Sequence, residues 1–289
     1  MRESFTSLTF EMIPPISGSH RVFNTYDDLY LVPTTRPIID PPSVKTKKIE
    51  VPGTNGVIDL TESLTPYPVY NNRTGSIDFA VLNDKMHWAA LYSKIMNYLH
   101  GRRAKVVLEE DKNWYYDGRW ALKSWKPDNS GKWPTVNLEY DLSPFKLSTR
   151  TSTELDDDWL WDPFSFYDGV IHNKVDKNYR TYAGLFTNMV VNSSSFTDYG
   201  VLKPGRHTYK LFADVIGWAP IVPTITFSNS NMGIKIVNQQ LGYDYEKTYN
   251  SAGTYTDPEC VLYDWTGDGF QLYLKGNGNV TIVFRKGSL

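Results

Sequence analysis

The chain has 289 residues, of which 40% are hydrophobic and 15% aromatic, and 30 basic against 32 acidic side chains leave a net charge of −2. This composition is typical of a folded protein rather than a disordered one, and the length suits two domains or one large β domain. The balanced charge lacks the positive excess that nucleic-acid binding requires, so DNA and RNA are excluded as expected partners.

The cysteine content and the hydropathy exclude further classes. Cys260 is the single cysteine, which rules out an intrachain disulfide and a cysteine-based zinc site. We expect it to be a small buried side chain rather than a reactive thiol. No apolar run approaches the ~20 residues of a membrane span, and residues 1–8 lack an apolar signal core. The sequence therefore predicts no membrane insertion and synthesis in a reducing cytoplasm.

Residues 1–44 alternate short strand-like pieces with proline-rich turns. Prolines at this frequency keep a chain extended and outside the interior of a sheet. Two interpretations stay open for this segment. It forms an edge strand or an arm that lies on a neighbouring molecule, or it is a surface loop that ties strands together.

Asn55 and Gly56 predict the first hairpin. They lie between Ile49–Val51 and Val57–Leu60, two runs whose residues suit strands. Asn-Gly is the dipeptide that most easily adopts φ > 0 at both central positions of a turn, which matches the natural twist of a hairpin.

A long amphipathic helix is predicted from residues 83–84 to His100. Asn83 or Asp84 is expected to cap its start, and Gly101 is expected to end it in the left-handed conformation. Its large apolar side chains recur every three or four residues, which places them on one face. That face consists of Trp88, Leu91, Tyr92, Ile95 and Leu99. Strands are predicted at 75–82, 104–108 and 113–116.

The composition divides the chain into two domains. Strands at 120–125 and 134–142 close a first domain, 1–148, and the hydroxyl-rich and acidic residues that follow predict a linker at 149–160. Residues 161–289 show short strands separated by turn residues, with a further hairpin signal at Gly276–Asn279. This pattern is typical of a β-sandwich.

An ordered set of motifs resembles the distal tail proteins of long-tailed phages, typically those infecting Gram-positive bacteria. The resemblance covers residues 45–120 and depends on the order of the motifs rather than on any one of them. The set comprises Pro52-Gly53, Asn55-Gly56, Asp59-Leu60-Thr61, Pro68-Val69-Tyr70, Asn72-Arg73, the amphipathic helix, Leu99-His100-Gly101-Arg102 and Tyr116-Asp117-Gly118-Arg119.

The resemblance implies a mainly β fold. The first domain would be a sandwich or split barrel with one helix, and the second a sandwich like those of galectins and carbohydrate-binding modules. It also implies a structural role in the virion, at the tail tip, after assembly in the host cytoplasm. Copies would join head-to-tail into a homohexameric ring between the tail-tube protein and the tail-associated protein, and receptor-binding proteins would be further partners.

A head-to-tail ring requires two different complementary surfaces on each copy. We expect the ring contacts in the hairpin at Asn55 and Gly56, the loop that carries Asn72 and Arg73, and the turn at Gly118 and Arg119. Arg73 has two interpretations that stay open. It forms a bidentate pair with an acidic residue of the adjacent copy, or an intrachain salt bridge that braces its own loop.

Catalytic motifs are absent from the sequence. It contains no Gly-x-Ser-x-Gly, no phosphate-binding Gly-x-x-x-x-Gly-Lys and no His-Glu-x-x-His, and its five histidines lack metal-ligand spacing. The acidic runs 109–111 and 156–158 place adjacent carboxylates on opposite sides of an extended chain, which favours a solvated turn and linker. We therefore expect no enzyme activity, no cofactor and no metal.

Aromatic residues near turns of the second half suggest an alternative function. Exposed rings stack on sugars, so a carbohydrate-binding protein that contacts host cell-wall polysaccharide is the alternative to the structural role. The candidate contacts are Trp218, Tyr243, Tyr245 and Trp265. Equally, such rings fill a sandwich core or a subunit interface.

Overall fold

The computed structural model describes residues 7–13, 22–53, 55–63, 65, 67–126, 133–153, 186–198, 218–239, 241–263 and 271–289. Contacts between residues divide the chain into two compact units, 1–149 with Leu289 and 150–288. The predicted linker stays a prediction, because most of 149–160 lies outside the described residues.

The described part of the first unit contains one α-helix and a series of strands. The strands are β1 Leu8–Ile13, β2 Val22–Asn24, β3 Leu31–Pro33, β4 Lys48–Glu50, β5 Val57–Asp59, β6 Arg73–Val81, β7 Arg102–Leu108, β8 Trp114–Lys126, β9 Thr135–Leu142 and β10 Lys146–Ser148. The helix α1 is Trp88–Tyr98 and follows a short 3-10 turn, Lys85–His87.

Seven of these strands form a single antiparallel path, in the order β2-β1-β7-β8-β9-β6-β3, and β10 pairs with the start of β8. Period-2 alternation gives the sheet its buried face. In β9, for example, Val136, Leu138, Tyr140 and Leu142 are buried, while the residues between them are more exposed. The core lies between this face and α1, and Trp120 occupies its centre against Phe10 and Tyr140.

The predicted helix forms, but the prediction of its start is wrong. The α-helix begins at Trp88, and in this described segment neither Asp84 nor His87 makes a side-chain cap. The Asn83 side chain instead accepts a hydrogen bond from the backbone N–H of Asp84, and the Asn83 carbonyl accepts one from the Trp88 indole. These local hydrogen bonds favour a 3-10 turn at residues 85–87, so the α-helix begins only at Trp88.

The helix packs on the sheet through part of its apolar face. Leu91, Ile95 and Leu99 are buried in the core, and Trp88 is partly buried against it. Tyr92 lies at the edge of that face, exposed, with its ring edge-on to Trp125 at 5.8 Å. Gly101 has φ +72, the left-handed conformation expected after a helix.

The hairpin predicted around Asn55 and Gly56 forms a separate two-stranded sheet of β4 and β5. Because Glu50 pairs with Val57, the connection comprises residues 51–56. Gly53 and Gly56 both adopt positive φ within it.

The second unit contains a six-stranded antiparallel sheet in its described part. Its order is β14-β13-β16-β12-β15, and β11 pairs with β16. The six strands of this sheet are β11 Met189–Asp198, β12 Thr224–Phe227, β13 Met232–Asn238, β14 Tyr243–Tyr249, β15 Gly253–Thr256 and β16 Gln271–Val283, and a short strand β17, Gly287–Ser288, lies outside it. Its apolar core includes Cys260, which is buried and free as expected. The mainly β class predicted from the sequence is confirmed.

The hairpin predicted at Gly276–Asn279 is wrong. These residues lie inside the continuous strand β16, at the point where its partner changes from β13 to β12. Gly276, at φ +117, packs so closely on Met232 that an added Cβ would lie 2.7 Å from the Met232 Cγ. The glycine therefore permits a bend and a close approach rather than a reversal of the chain.

Within the described residues no helix has the length and hydropathy needed to cross a membrane.

Candidate functional site

The β4–β5 hairpin presents an apolar face and a charged face, and both are exposed. Ile49 pairs with Ile58, and the alternation of side chains along each strand places Val51 and Leu60 on the same side. All four are exposed, with Ile58 at 52%. The charged face carries Lys48, Glu50 and Asp59, together with the exposed Val57.

Backbone hydrogen bonds fix the base of this hairpin. The Lys45 N–H donates to the Val69 carbonyl at 2.7 Å, and the Asn71 N–H donates to the Ser43 carbonyl at 2.8 Å. Thr61 donates to the Asp59 carboxylate from its hydroxyl and its backbone N–H, which lowers the pKa of Asp59 and keeps it charged. These bonds anchor the hairpin at its base, and a two-stranded ribbon by itself is marginally stable in water.

Arg73 lies inside its own unit. Its side chain is 4% exposed, Nε donates to the Pro144 carbonyl at 2.8 Å, and Nη1 donates to the Asp40 carbonyl at 3.0 Å. The guanidinium also lies 5.6 Å from the centre of the Tyr116 ring, and its burial lowers the pKa of Arg73. These contacts brace the loop of Arg73 within the chain, through carbonyl oxygens rather than the carboxylate that was expected.

The two Arg-containing motifs meet at the end of β9. Leu142 pairs with Arg73 on one side and with Gly118 on the other. A Cβ at Gly118 would collide with the backbone of Asp141 and Leu142. The glycine therefore allows β8 and β9 to approach closely inside the unit. Pairing across the sheet, which a linear sequence does not reveal, brings these motifs together.

Asn72 and Arg119, the other predicted ring contacts in these two motifs, are exposed. The Asn72 amide donates to the Asp141 carboxylate at 2.7 Å, and Arg119 Nη1 donates to the Gly101 carbonyl at 2.9 Å. Both side chains are therefore engaged within the chain while still reaching solvent. As ring contacts, all six predicted residues stay a prediction: Asn55, Gly56, Asn72, Arg73, Gly118 and Arg119.

A second group of exposed apolar side chains, which the sequence analysis missed, lies where β6 ends and β9 begins. We call Tyr30, Leu82, Met86 and Trp133 the end patch. The Leu82 N–H donates to the Tyr30 carbonyl at 2.8 Å, and the Val81 N–H donates to the Pro134 carbonyl at 2.9 Å, so three separate segments meet here. Met86 is 89% exposed. The only signal in the sequence is a methionine and a tryptophan in otherwise polar turns.

The aromatic residues predicted to contact glycans are largely engaged within the second unit. Tyr245 is 7% exposed, and its hydroxyl lies 2.9 Å from the Asp257 carboxylate and 3.2 Å from the Tyr249 hydroxyl. The Tyr243 hydroxyl donates to the Glu259 carbonyl and accepts from the Val261 N–H. These two rings fill and brace the fold, which was the open alternative. Trp218 is exposed, and Trp265 lies outside the described residues.

The ion pair between Lys247 and Asp257, which lies beside the Tyr245 hydroxyl, has a structural role. The Lys247 ammonium contacts the Asp257 carboxylate and, together with the Glu259 N–H and the Tyr245 hydroxyl, lowers the pKa of Asp257. Burial raises the pKa of the Cys260 thiol to about 12, which leaves it protonated and unreactive. Among the residues that the structure describes, no group of three or more histidine, cysteine or carboxylate side chains could hold a metal ion.

Comparison with known proteins identifies the fold. No family model matches the chain, and no curated protein matches it in sequence. The crystal structure of the SPP1 Dit (gp 19.1) protein, presented as a paradigm of the hub adsorption apparatus in phages that infect Gram-positive bacteria, matches with a TM-score of 0.55. The match covers 98% of this chain and 99% of that one at 14% sequence identity. The chain therefore has the fold of a phage distal tail hub protein, which confirms the resemblance predicted from its sequence motifs.

Proposed function

We propose that this chain is a structural component of a phage tail tip, and that six copies join head-to-tail into a hub ring. The ring would contact the tail-tube protein on one side and the tail-associated protein on the other, and would carry receptor-binding proteins. Its location would be the virion. The similarity in fold to the SPP1 Dit protein supports this class of function.

The observation that carries the assembly part of the proposal is the exposed β4–β5 hairpin. Ile49, Val51, Ile58 and Leu60 form an apolar face whose four side chains are 36–52% exposed. A hairpin of this size gains stability when a partner buries that face. In an assembly of identical copies, the available partner is the next copy.

The test is a pair of substitutions on adjacent residues that point to opposite faces. Ile58→Asp places a charge on the apolar face, and we expect it to reduce the hexamer at least tenfold at a given concentration. Val57→Asp introduces the same charge on the charged face and should assemble as the wild type does. Light scattering coupled to size exclusion measures the mass, and negative-stain images show whether rings are present.

A wild-type chain that remains monomeric at high concentration, with and without its tail-tube protein, would contradict the proposal. Equal loss of assembly in both variants would show that the apolar face has no special role.

A further inference from the structure

We infer that Asn55 is a site of spontaneous chemical modification, at which the side-chain amide is lost and aspartate or isoaspartate forms in the β4–β5 hairpin. This modification goes beyond the proposed function and does not require the ring. The chain contains two Asn-Gly dipeptides, Asn55-Gly56 and Asn277-Gly278, and the fold places them in opposite surroundings.

The reaction requires the backbone nitrogen after an asparagine to reach that asparagine's side chain. Once the Gly56 N–H has lost its proton to hydroxide, the nitrogen attacks the side-chain carbonyl carbon of Asn55. The new C–N bond closes a five-membered cyclic imide, and the bond to the side-chain nitrogen breaks, so that this nitrogen leaves as ammonia with a proton from water. Water then opens the ring at either carbonyl, which gives aspartate or isoaspartate without oxidation or reduction. Glycine favours the attack because it has no side chain to hinder the approach.

The fold leaves Asn55 and Gly56 able to react. Both are exposed and lie in the connection between β4 and β5. Gly56 has φ +84, and a Cβ built on it would have no heavy atom within 4 Å. Within the described residues, neither the Asn55 side chain nor the Gly56 N–H makes a hydrogen bond. The nitrogen can therefore turn toward the amide without breaking a hydrogen bond of the described structure.

The second dipeptide is held in place by its neighbours. Asn277 and Gly278 lie inside β16 and pair with residues 191–192 of β11. The Asn277 carbonyl accepts a hydrogen bond from the Asn229 amide at 2.6 Å, and a Cβ at Gly278 would lie 2.6 Å from the Ser228 Oγ. Turning the Gly278 nitrogen toward the Asn277 side chain would disrupt the strand pairing, so the fold should suppress the reaction here.

The product alters the hairpin in two ways. It adds a negative charge to the connection 51–56, which carries no charged side chain. Isoaspartate also routes the backbone through the side-chain carbons, which lengthens the connection between Glu50 and Val57 by one methylene group. Because the length of a hairpin connection fixes the strand register, the modification acts on the element that aligns β4 with β5.

Peptide mapping by mass spectrometry, on the full chain held for days to weeks at neutral and at mildly alkaline pH, tests the inference. Conversion at Asn55 should be at least tenfold faster than at Asn277. It should also accelerate with pH, because the attacking nitrogen must lose a proton. In concentrated urea both dipeptides should convert at similar rates, since the fold then protects neither.

Two conservative variants provide matched controls. Glutamine retains the amide but would have to close a larger ring, which forms much more slowly. An isoaspartyl methyltransferase labels isoaspartate, so Asn55→Gln should remove most of the label from the folded chain and Asn277→Gln should leave it unchanged. Equal conversion at the two sites of the folded chain, or faster conversion at Asn277, would overturn the inference.

Asn55 is also a predicted ring contact, so the same mapping is carried out on Ile58→Asp, which is expected to weaken the ring. Conversion at Asn55 in both proteins supports the inference. Conversion only in Ile58→Asp supports it as well and indicates that assembly covers the turn. Conversion in neither protein overturns the inference and leaves the proposed ring untouched, because light scattering measures assembly separately.

Discussion

The buried guanidinium of Arg73 joins parts of the chain that are distant in sequence. It donates to carbonyls of Asp40 and Pro144, 33 and 71 residues away, and stacks near Tyr116. Beside it, the Tyr140 hydroxyl accepts from the Asp40 N–H, and burial raises the pKa of Tyr140. Arg73 thus links the segments that contain Asp40 and Pro144 to the start of β6, close to residues 69–71, which anchor the hairpin.

Arg73→Ala should destabilise the folded chain by about 1–3 kcal/mol, since it removes two hydrogen bonds made by a buried guanidinium. The loss should change little with salt, because the acceptors are neutral. Urea unfolding at low and high salt measures both effects, and Arg102→Ala, at an exposed position, is the control. If the variant has normal stability but assembles less well, Arg73 contacts the adjacent copy instead.

At the scale of elements, α1 and the β4–β5 hairpin differ in how they are stabilised. The helix buries Leu91, Ile95 and Leu99 against the sheet, so it is part of the core. The hairpin buries none of its strand residues. An element that contributes so little to the core of a single copy is better explained by what it contacts in an assembly.

Ile95→Asp should prevent folding of the first unit, because it places an unpaired carboxylate in the core. The milder Ile95→Ala should cost about 2–5 kcal/mol. Ser93→Asp, on the exposed side of the same helix, should have little effect. Circular dichroism and thermal unfolding report the outcome, and a soluble Ile95→Asp variant with an unchanged spectrum would refute the prediction.

At the scale of the whole molecule, the apolar character of the hairpin surface determines how the proposed ring should respond to its solvent. The apolar face of the hairpin supplies the area to be buried, and the charged side chains on its other face, Lys48, Glu50 and Asp59, are exposed. Exposed ion pairs contribute little to stability and are screened by salt, whereas apolar burial is not.

The assembled protein should therefore persist when sodium chloride is raised from about 0.1 M to 1 M, where the Debye length falls from about 10 to 3 Å. Sedimentation velocity across this range measures the fraction assembled, with the Val57→Asp variant as the control for a change on the charged face. Dissociation at high salt would show that ion pairs, rather than apolar contacts, hold the copies together.

The sequence alone determined the features that depend on local periodicity and turn chemistry: the mainly β class, the apolar face of the helix, the hairpin near Asn55 and Gly56, and the order of motifs that resembles a distal tail protein. The tertiary structure decided the features that depend on pairing between distant strands. It buried Arg73, joined Gly118 to Leu142, placed Gly276 inside a strand, and assembled the end patch from three segments. The physical reason is that strand register is set by long-range contacts. Adjacent residues in a chain reveal which face a side chain takes, but only the completed sheet determines which side chain it meets.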